Sequence, residues 1–362
     1  MRRHMRPRIC GQGARLPAAL LSCAVFPLWL AILAVIGFGQ AAVGARAADA
    51  LDWPGAWQAS DGRDHPLAGR IWDVAANRFV TPAAYLAALT QARHVTLGEI
   101  HDNPDHHRLQ AWVVRRIGGG KRAIVFEHFR TDQQAMLDAF GTGRGDAASG
   151  VEADEAADKL FLVSAWAQSG WPDQTLYRPL MIAVIENGGS ILAGNPPRQR
   201  VMEVARNGHD ALSGDAQRRL LLDRDLGGDL DDGLLGELEA SHCGLMPKGA
   251  FTNMALAQRL KDASMARVMT DAAIRGEGTV LIAGNGHVRL DRGVPWYLER
   301  MRGGDEAGVV AVGHVEVDPA RLRAEQYMDG QPYSYVVFTP AAARPDPCEE
   351  EMRKRFMGQG KP

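Results

Sequence analysis

The chain has 362 residues, 46% of them hydrophobic, and a formal charge of −2. That is ample apolar material for one large core, and neither a fixed-period repeat nor a long low-complexity tract interrupts it. Residues 1–47 hold six arginines and no acid, so the remaining body is acidic at about −8, a poor match for nucleic acid, whose recognition calls for basic patches.

Residues 1–15 are basic, residues 16–38 are uncharged and apolar, and small residues follow as QAAVGARAADA. This order is that of a secretory signal. The apolar run is also long enough to span a bilayer, which takes about 20 residues, so a retained membrane anchor is the alternative. Either way the expectation is an exported body, residues 48–362, in the periplasm or anchored facing it. Leu20-Leu21-Ser22-Cys23 also has the form of a lipoprotein cleavage box. Cleavage there would leave a long apolar run after Cys23, where a polar tether makes more sense.

Residues 48–70 read as an irregular entry loop or short hairpin. Thr81 before Pro82 is an N-cap followed by proline at the first helical position, which predicts a helix over about 82–92. HVTLGE follows as a strand, then a helix from Pro104 to about Ile117, capped by Asp102 or Asn103. RAIVFEHF, 122–129, is a second strand, and Thr131 or Asp132 opens a helix through QQAMLDAF. Residues 141–158, rich in Gly, Ala and acids, read as loop. An amphipathic stretch follows at about 155–168, then a helix reaching about Glu186.

SILAGN, 190–195, is a third strand, followed by Pro196-Pro197 and a helix. Residues 210–275 contain no good strand and read as a helical insertion that ends in a long helix from about Ala250. Strands return at TVLIAGNGHV (279–288), GVVAVGHVEV (308–317) and YSYVVFTP (333–340). Short apolar strands alternating with helices predict an α/β fold: a mostly parallel sheet flanked by helices, in one domain with a helical insertion. Cys243 and Cys348 could pair in an oxidising compartment; two unrelated thiols is the equal alternative, because the sequence does not give their separation in space.

The strands run straight into polar chemistry: GEIHDNPDHH, EHF, GNPPR, GNGH and GH. In open α/β sheets ligands sit at the carboxyl ends of the strands. That rule gathers Glu99, His101, Glu127, Asn195, His287 and His314 onto one rim. Gly98-Glu99-Ile100-His101 and Gly284-Asn285-Gly286-His287 are both Gly-x-x-His. Glycine there lets the backbone turn and a ligand approach; the histidine can bind a metal or move a proton.

Glu127 ends a buried run and needs a partner, with His101 or His287 as candidates, or else it caps the next helix. Glu99 and His101, two apart, would share one face of a strand. His106 and His107 read as a helix start, either exposed or held by a structural hydrogen bond. His-x4-His-His with nearby acids could ligate zinc, but HExxH and Cys-x-x-Cys are both missing. The stripe Met254, Gln258, Lys261, Met265, Met269 reads as core packing, with a ligand-lining face as the alternative.

Taken together, LGEIHDNPDHHRLQ, FEHF, WPDQTLYRPL, ILAGNPPR, SHCGLMP with AQRLKDASMA, and LIAGNGHVRLDRGVPWYL resemble the ChaN-like haem-binding uptake lipoproteins. The resemblance spans about residues 70–340. It extends to a wider superfamily with Tiki-type metalloproteases and erythromycin-esterase-like hydrolases, whose paired Gly-x-x-His is matched by His101 and His287 and whose strand-end glutamates are matched by Glu99 and Glu127. It implies haem binding with a tyrosine on iron, a homodimer around stacked haems, and an outer-membrane or transporter partner in iron uptake. The tyrosine candidates are Tyr85, Tyr177, Tyr297, Tyr327, Tyr333 and Tyr335. Tyr177 is nominated, with Arg178 for a propionate and Asn195 and Asn285 as further cofactor contacts. The alternative is a hydrolase using Glu99, His101, Glu127 and His287, with or without a divalent metal on His101 and His287.

Overall fold

A computed structural model describes residues 56–117, 122–142, 151–301, 308–330, 332–346 and 348–349. The signal, anchor and lipoprotein readings of residues 1–47 lie outside them. The described residues belong to one compact unit that starts at residue 51. None of the described helices is long and apolar enough to cross a membrane.

The first elements are a hairpin that the sequence does not announce. Strands β1 (Ile71–Asp73) and β2 (Arg78–Val80) pair antiparallel, with Ile71 opposite Val80. Asp73 accepts the Ala76 amide, and Asn77 takes a positive φ of 50° at the turn, a conformation that asparagine tolerates better than most residues. Helix α1 (Pro82–Gln91) starts as expected, with the Thr81 hydroxyl accepting from the Ala84 amide. β3 (His94–Leu97) leads to α2 (Pro104–Ile117), where Asn103 Oδ1 accepts the Asp105 amide.

β4 (Arg122–Arg130), α3 (Gln134–Thr142), α4 (Val151–Val163), α5 (Gln174–Asn187) and β5 (Ile191–Asn195) follow. The loop expected at 141–158 is corrected: Gly141 and Thr142 close α3, residues 143–150 lie outside the described set, and α4 begins at Val151. Ala153, Ala157, Leu160 and Phe161 form its buried stripe. The helical insertion is α6 (Arg198–Asn207), α7 (Gly214–Arg219), α8 (Gly228–Ser241) and α9 (Lys248–Ile274). β6 (Gly278–Ile282), α10 (Val294–Met301), β7 (Val309–Glu316) and β8 (Tyr335–Thr339) complete the order.

The eight strands form one sheet in the order β2-β1-β8-β7-β3-β6-β4-β5. The six from β8 to β5 run parallel, and the β1–β2 hairpin adds an antiparallel edge on β8. Alternation along the strands splits the core in two. Ile124, Phe126, Val280 and Ile282 face α1, α2, α4 and α5, whereas Val125, Leu281 and Ala283 face α6, α9 and α10. Met265 and Met269 are fully buried in that second layer, so this part of the methionine stripe is core. Cys243, just after α8, is disulfide-bonded to Cys348 in the C-terminal segment, with Cα atoms 5.5 Å apart.

Candidate functional site

β3, β4, β5 and β6 all end on one edge, and two polar clusters stand there on opposite sides of the sheet. The expectation that Glu99 and His101 share a strand face is corrected: β3 stops at Leu97, and both residues lie in the turn before α2. They meet all the same, with His101 Nδ1 2.8 Å from Glu99 Oε1. The same oxygen accepts from the Tyr177 hydroxyl at 2.7 Å and lies 3.1 Å from His128 Nε2. Glu99 Oε2 accepts from Gln110 Nε2 at 2.8 Å and lies 3.5 Å from His107 Nδ1. Burial alone would push the Glu99 carboxyl up, but the facing His107 and His128 and the His101 hydrogen bond hold it well below the usual carboxylate range.

His101 is the open member of this first cluster. Its side chain is 36% exposed, while those of Glu99, His107 and His128 are fully buried. Burial would lower the imidazole pKa, but the hydrogen bond and charge of Glu99 win and raise it. Among the described residues Nε2 makes no hydrogen bond, and the ring packs edge-on against Trp171 with centroids 4.9 Å apart.

The second cluster is built on Glu127 and His287. In β4, neighbouring side chains point to opposite faces, so His128 joins Glu99 and α5 while Glu127 turns toward α9. His287 Nε2 is 3.1 Å from Glu127 Oε1, and its Nδ1 is 2.6 Å from Asp262 Oδ1 on α9. Glu127 Oε2 accepts the Gly284 amide at 2.9 Å. The sequence offered His287 as partner for Glu127, and this is the arrangement found; Glu127 does not cap the following helix. Burial opposes charge on His287, yet Glu127 and Asp262 together push its pKa up to about 10. Burial would raise Glu127, but His287 and His101 hold it well below the usual range. Asp262 is pushed up, burial outweighing His287.

Gly284 joins the clusters. A methyl group there would stand 3.2 Å from His101 Nε2 and 3.7 Å from Glu127 Oε2, so only glycine leaves His101 and Glu127 facing one small space. Glu99, His101, Glu127, His287 and Asp262 thus alternate carboxylate and imidazole across the rim. A cavity of about 200 Å³ opens beside His287 and Asp262, lined by Leu234, Leu238, Gln258 and Arg292.

Other expected residues have different work. Tyr177 is fully buried, and burial with the adjacent Glu99 pushes its hydroxyl far above the ordinary range. Arg178 is not at the rim contact; it bridges Asp154 and Asp158 on α4. Asn285 braces β7 by donating to the His314 carbonyl at 2.7 Å and accepting the His314 amide. Asn195 donates to the Glu127 carbonyl at 3.0 Å.

The exposed reading of His106 and His107 is corrected, since both are fully buried. His106 Nδ1 accepts the Ile100 amide, its Nε2 meets the Thr339 hydroxyl, and its ring stacks on His314. His107 Nε2 donates to the His101 carbonyl at 3.0 Å. His314 is buried rather than open on the rim, with Nδ1 donating to the Gly98 carbonyl at 2.6 Å. Sequence reasoning misses His128 and Asp262; the only hints are the FEHF string and one of the two acids, Asp262 and Asp271, in a long helix.

Among the described residues, one compact set of three donors has metal-ligand chemistry: Glu99, His101 and His128, within 4.8 Å of one another. In the structure these donors are hydrogen-bonded to one another, with Glu99 Oε1 shared by His101, His128 and Tyr177. His101 and His287, expected as a metal pair, do not belong to one such set.

No curated protein matches the chain. A solved structure described as cofacial heme binding to ChaN of Campylobacter jejuni aligns with a TM-score of 0.56 at 18% identity, over 74% of this chain and 95% of that one. That likeness establishes a shared fold. The type III effector HopBA1 aligns at a TM-score of 0.36 and 11% identity, over 79% of this chain and 98% of that one, which carries no argument. The sequence profile described as haem-binding uptake, Tiki superfamily, ChaN matches residues 85–298, more than half of the chain. By that match the chain belongs to the ChaN family of haem-binding uptake proteins in the Tiki superfamily.

Proposed function

We propose that this chain is an exported haem-binding protein of iron or haem uptake, with its ligand at the rim where the parallel strands end. Family membership supports haem as the ligand class. The observation that carries the reading is His101. Its Nδ1 is pinned by the buried Glu99 carboxylate, its Nε2 makes no hydrogen bond among the described residues, and its ring is held against Trp171. A carboxylate behind an imidazole fixes the ring and raises its basicity, as at protein metal sites generally, and haem iron takes an imidazole nitrogen as axial ligand.

The tyrosines fit iron less well. Tyr85, Tyr177, Tyr297, Tyr327 and Tyr333 are buried and Tyr335 is half-buried. Burial pushes the hydroxyls of Tyr297 and Tyr333 up to about 12 and those of Tyr85 and Tyr177 further, away from the tyrosinate that iron prefers. On this reading the imidazole of His101 is the donor we favour for iron, and the tyrosine implied by the resemblance, Tyr177 first among the candidates, is the alternative. Haem is here the cargo, and the residues' part is to hold it.

Export is supported by the basic, apolar and small-residue order of residues 1–47 and by the Cys243–Cys348 disulfide, which suits an oxidising compartment. Delivery to an outer-membrane or transporter partner and pairing of two copies around haem go with this reading; sedimentation with and without haemin tests the pairing. The central test is haemin titration. A saturable Soret shift in the parent, lost in His101→Ala, is expected; its failure to appear in the parent would sink the reading.

A second reading, a hydrolase, is favoured by the Asp262–His287–Glu127 array. Glu127 and the Nε2 of His101 face one space where a water could be deprotonated, while cationic His287 would stabilise developing negative charge. Turnover of an aryl-ester and lactone panel that disappears in Glu127→Gln supports it. Equal rates in parent and variant overturn it.

A further inference from the structure

Helix α8 covers the cavity beside His287 but belongs little to the core beneath it. Of its 14 residues only Leu238 is buried, and Leu230 and Leu234 are half-buried. Gly233 and Gly236 sit inside it, and glycine weakens a helix interior. The chain takes a positive φ at both ends, 117° at Gly227 and 57° at Cys243. An element with so few buried apolar contacts can open locally while the rest stays folded.

The ties that hold α8 lie toward its C-terminal end. Glu237 Oε1 pairs with Arg292 and lies 3.4 Å from Arg289 Nη1, both from the loop after β6. A methyl group on Gly233 would stand 2.9 Å from Arg292 Nη1, so the helix lies directly over that guanidinium, and Arg292 is only 5% exposed. Glu237 is itself exposed, and an ion pair to an exposed partner contributes little. The remaining tie is covalent: Cys243, just past the helix, is bonded to Cys348. The far side of that bond is anchored. Arg344 makes 2.7 Å hydrogen bonds to Asp102, next to His101, and to Glu316 at the end of β7. The four residues from Arg344 to Cys348 reach at most about 14 Å, so the C-terminal segment tethers the end of α8 to the strand-end rim.

We propose that α8 is a lid on the pocket of His287 and Asp262, and that the Cys243–Cys348 bond is its redox latch. The lid supplies Leu234, Leu238 and Ser241 to the pocket, and the body supplies Asp262, His287 and Arg292. With the bond intact the lid closes the pocket to about 200 Å³. A dithiol reductant gives the bond two electrons and two protons, leaves two thiols, and is itself oxidised to a disulfide. The end of α8 is then free of the rim, and the exposed Glu237 pair is all that opposes a swing about Gly227. Both cysteines are half-buried in surface turns, within reach of such a reductant. The latch gates access to His287 and is independent of the haem reading.

Arg292 reports the lid. The test is phenylglyoxal labelling of the full-length protein, read peptide by peptide by mass spectrometry. In the oxidised parent Arg292 should label slowly. In Cys243→Ser/Cys348→Ser it should label about tenfold faster or more, because a cross-link of this loop length shifts an opening equilibrium at least that far. Parent reduced with dithiothreitol and then freed of it should match the variant. Arg259 is the control. It is 7% exposed on α9, held by the Tyr297 hydroxyl and by the Leu221 carbonyl ahead of the Gly227 hinge, and should stay slow throughout. Arg292 labelling at one rate with and without the bond overturns the latch. Arg259 rising together with Arg292 overturns it too, because the whole layer, and not the lid, has then loosened.

Discussion

The Tyr177 hydroxyl donates a 2.7 Å hydrogen bond to Glu99 Oε1. A tyrosine in this position is a clamp on a buried carboxylate. Tyr177→Phe should therefore cost about 1–3 kcal/mol of stability by removing a donor to a charged, buried group, read from the urea midpoint. The Soret shift with haemin should survive, because His101 keeps its carboxylate. A variant of unchanged stability that loses the Soret shift would make Tyr177 the iron ligand and displace His101.

His287 lies between Glu127 and Asp262, and its pKa is up to about 10. Its ordinary value is about 6.5. Below that value the imidazole is protonated folded or unfolded, so the full stabilisation is present. Above it the folded state holds the extra proton, and the stabilisation declines as pH rises, ending once pH passes about 10. Glu127→Gln removes the largest charge that raises it, so a histidine NMR titration should show the His287 midpoint at least about one unit lower than in the parent. An unmoved midpoint would mean that Asp262 alone sets it.

Much of this is legible in the sequence. Strand and helix alternation gave the parallel sheet, and the two Gly-x-x-His segments gave His101 and His287. What was hidden has physical causes. β1 and β2 have three residues each, too short for alternation to register. The start of α4 buries Ala153 and Ala157, and alanine makes a faint apolar stripe. Asp262 reaches His287 only because α9 packs across the sheet, a tertiary fact. Glu127 and His128 are neighbours in sequence, and only the strand's alternation sends them to separate clusters.

The Cys243–Cys348 bond ties the α8–α9 turn to the C-terminal segment across a separation of 105 residues. A closure of that length restricts the unfolded chain strongly, and losing such a bond typically costs about 2–4 kcal/mol. Dithiothreitol should lower the melting temperature of the parent and leave Cys243→Ser/Cys348→Ser unmoved. Because Ser241 and Leu238 near that turn line the cavity beside His287, the double variant should also show faster amide exchange in α8. Equal melting in both redox states would mean that the bond contributes nothing to folding.

The stacked pair His106 and His314 sets the acid limit. Burial drives the His106 pKa well below its ordinary value and takes His314 down to about 4, despite the Gly98 carbonyl that favours its charged form. Between pH 6.5 and about 4 the unfolded chain binds protons at His314 that the folded chain refuses, so stability falls as pH falls through that window. His314 alone accounts for a loss of roughly 3 kcal/mol across it. Glu99 and Glu127, held low, add their own losses only below about 4.5, where the unfolded carboxylates protonate. Urea midpoints should therefore drop between pH 6.5 and 5, before Glu99 or Glu127 responds. His314→Gln keeps a donor for the Gly98 carbonyl and cannot titrate, so its stability should be flatter over that interval. A parent whose midpoints hold steady down to pH 5 would show that neither histidine resists protonation in the fold.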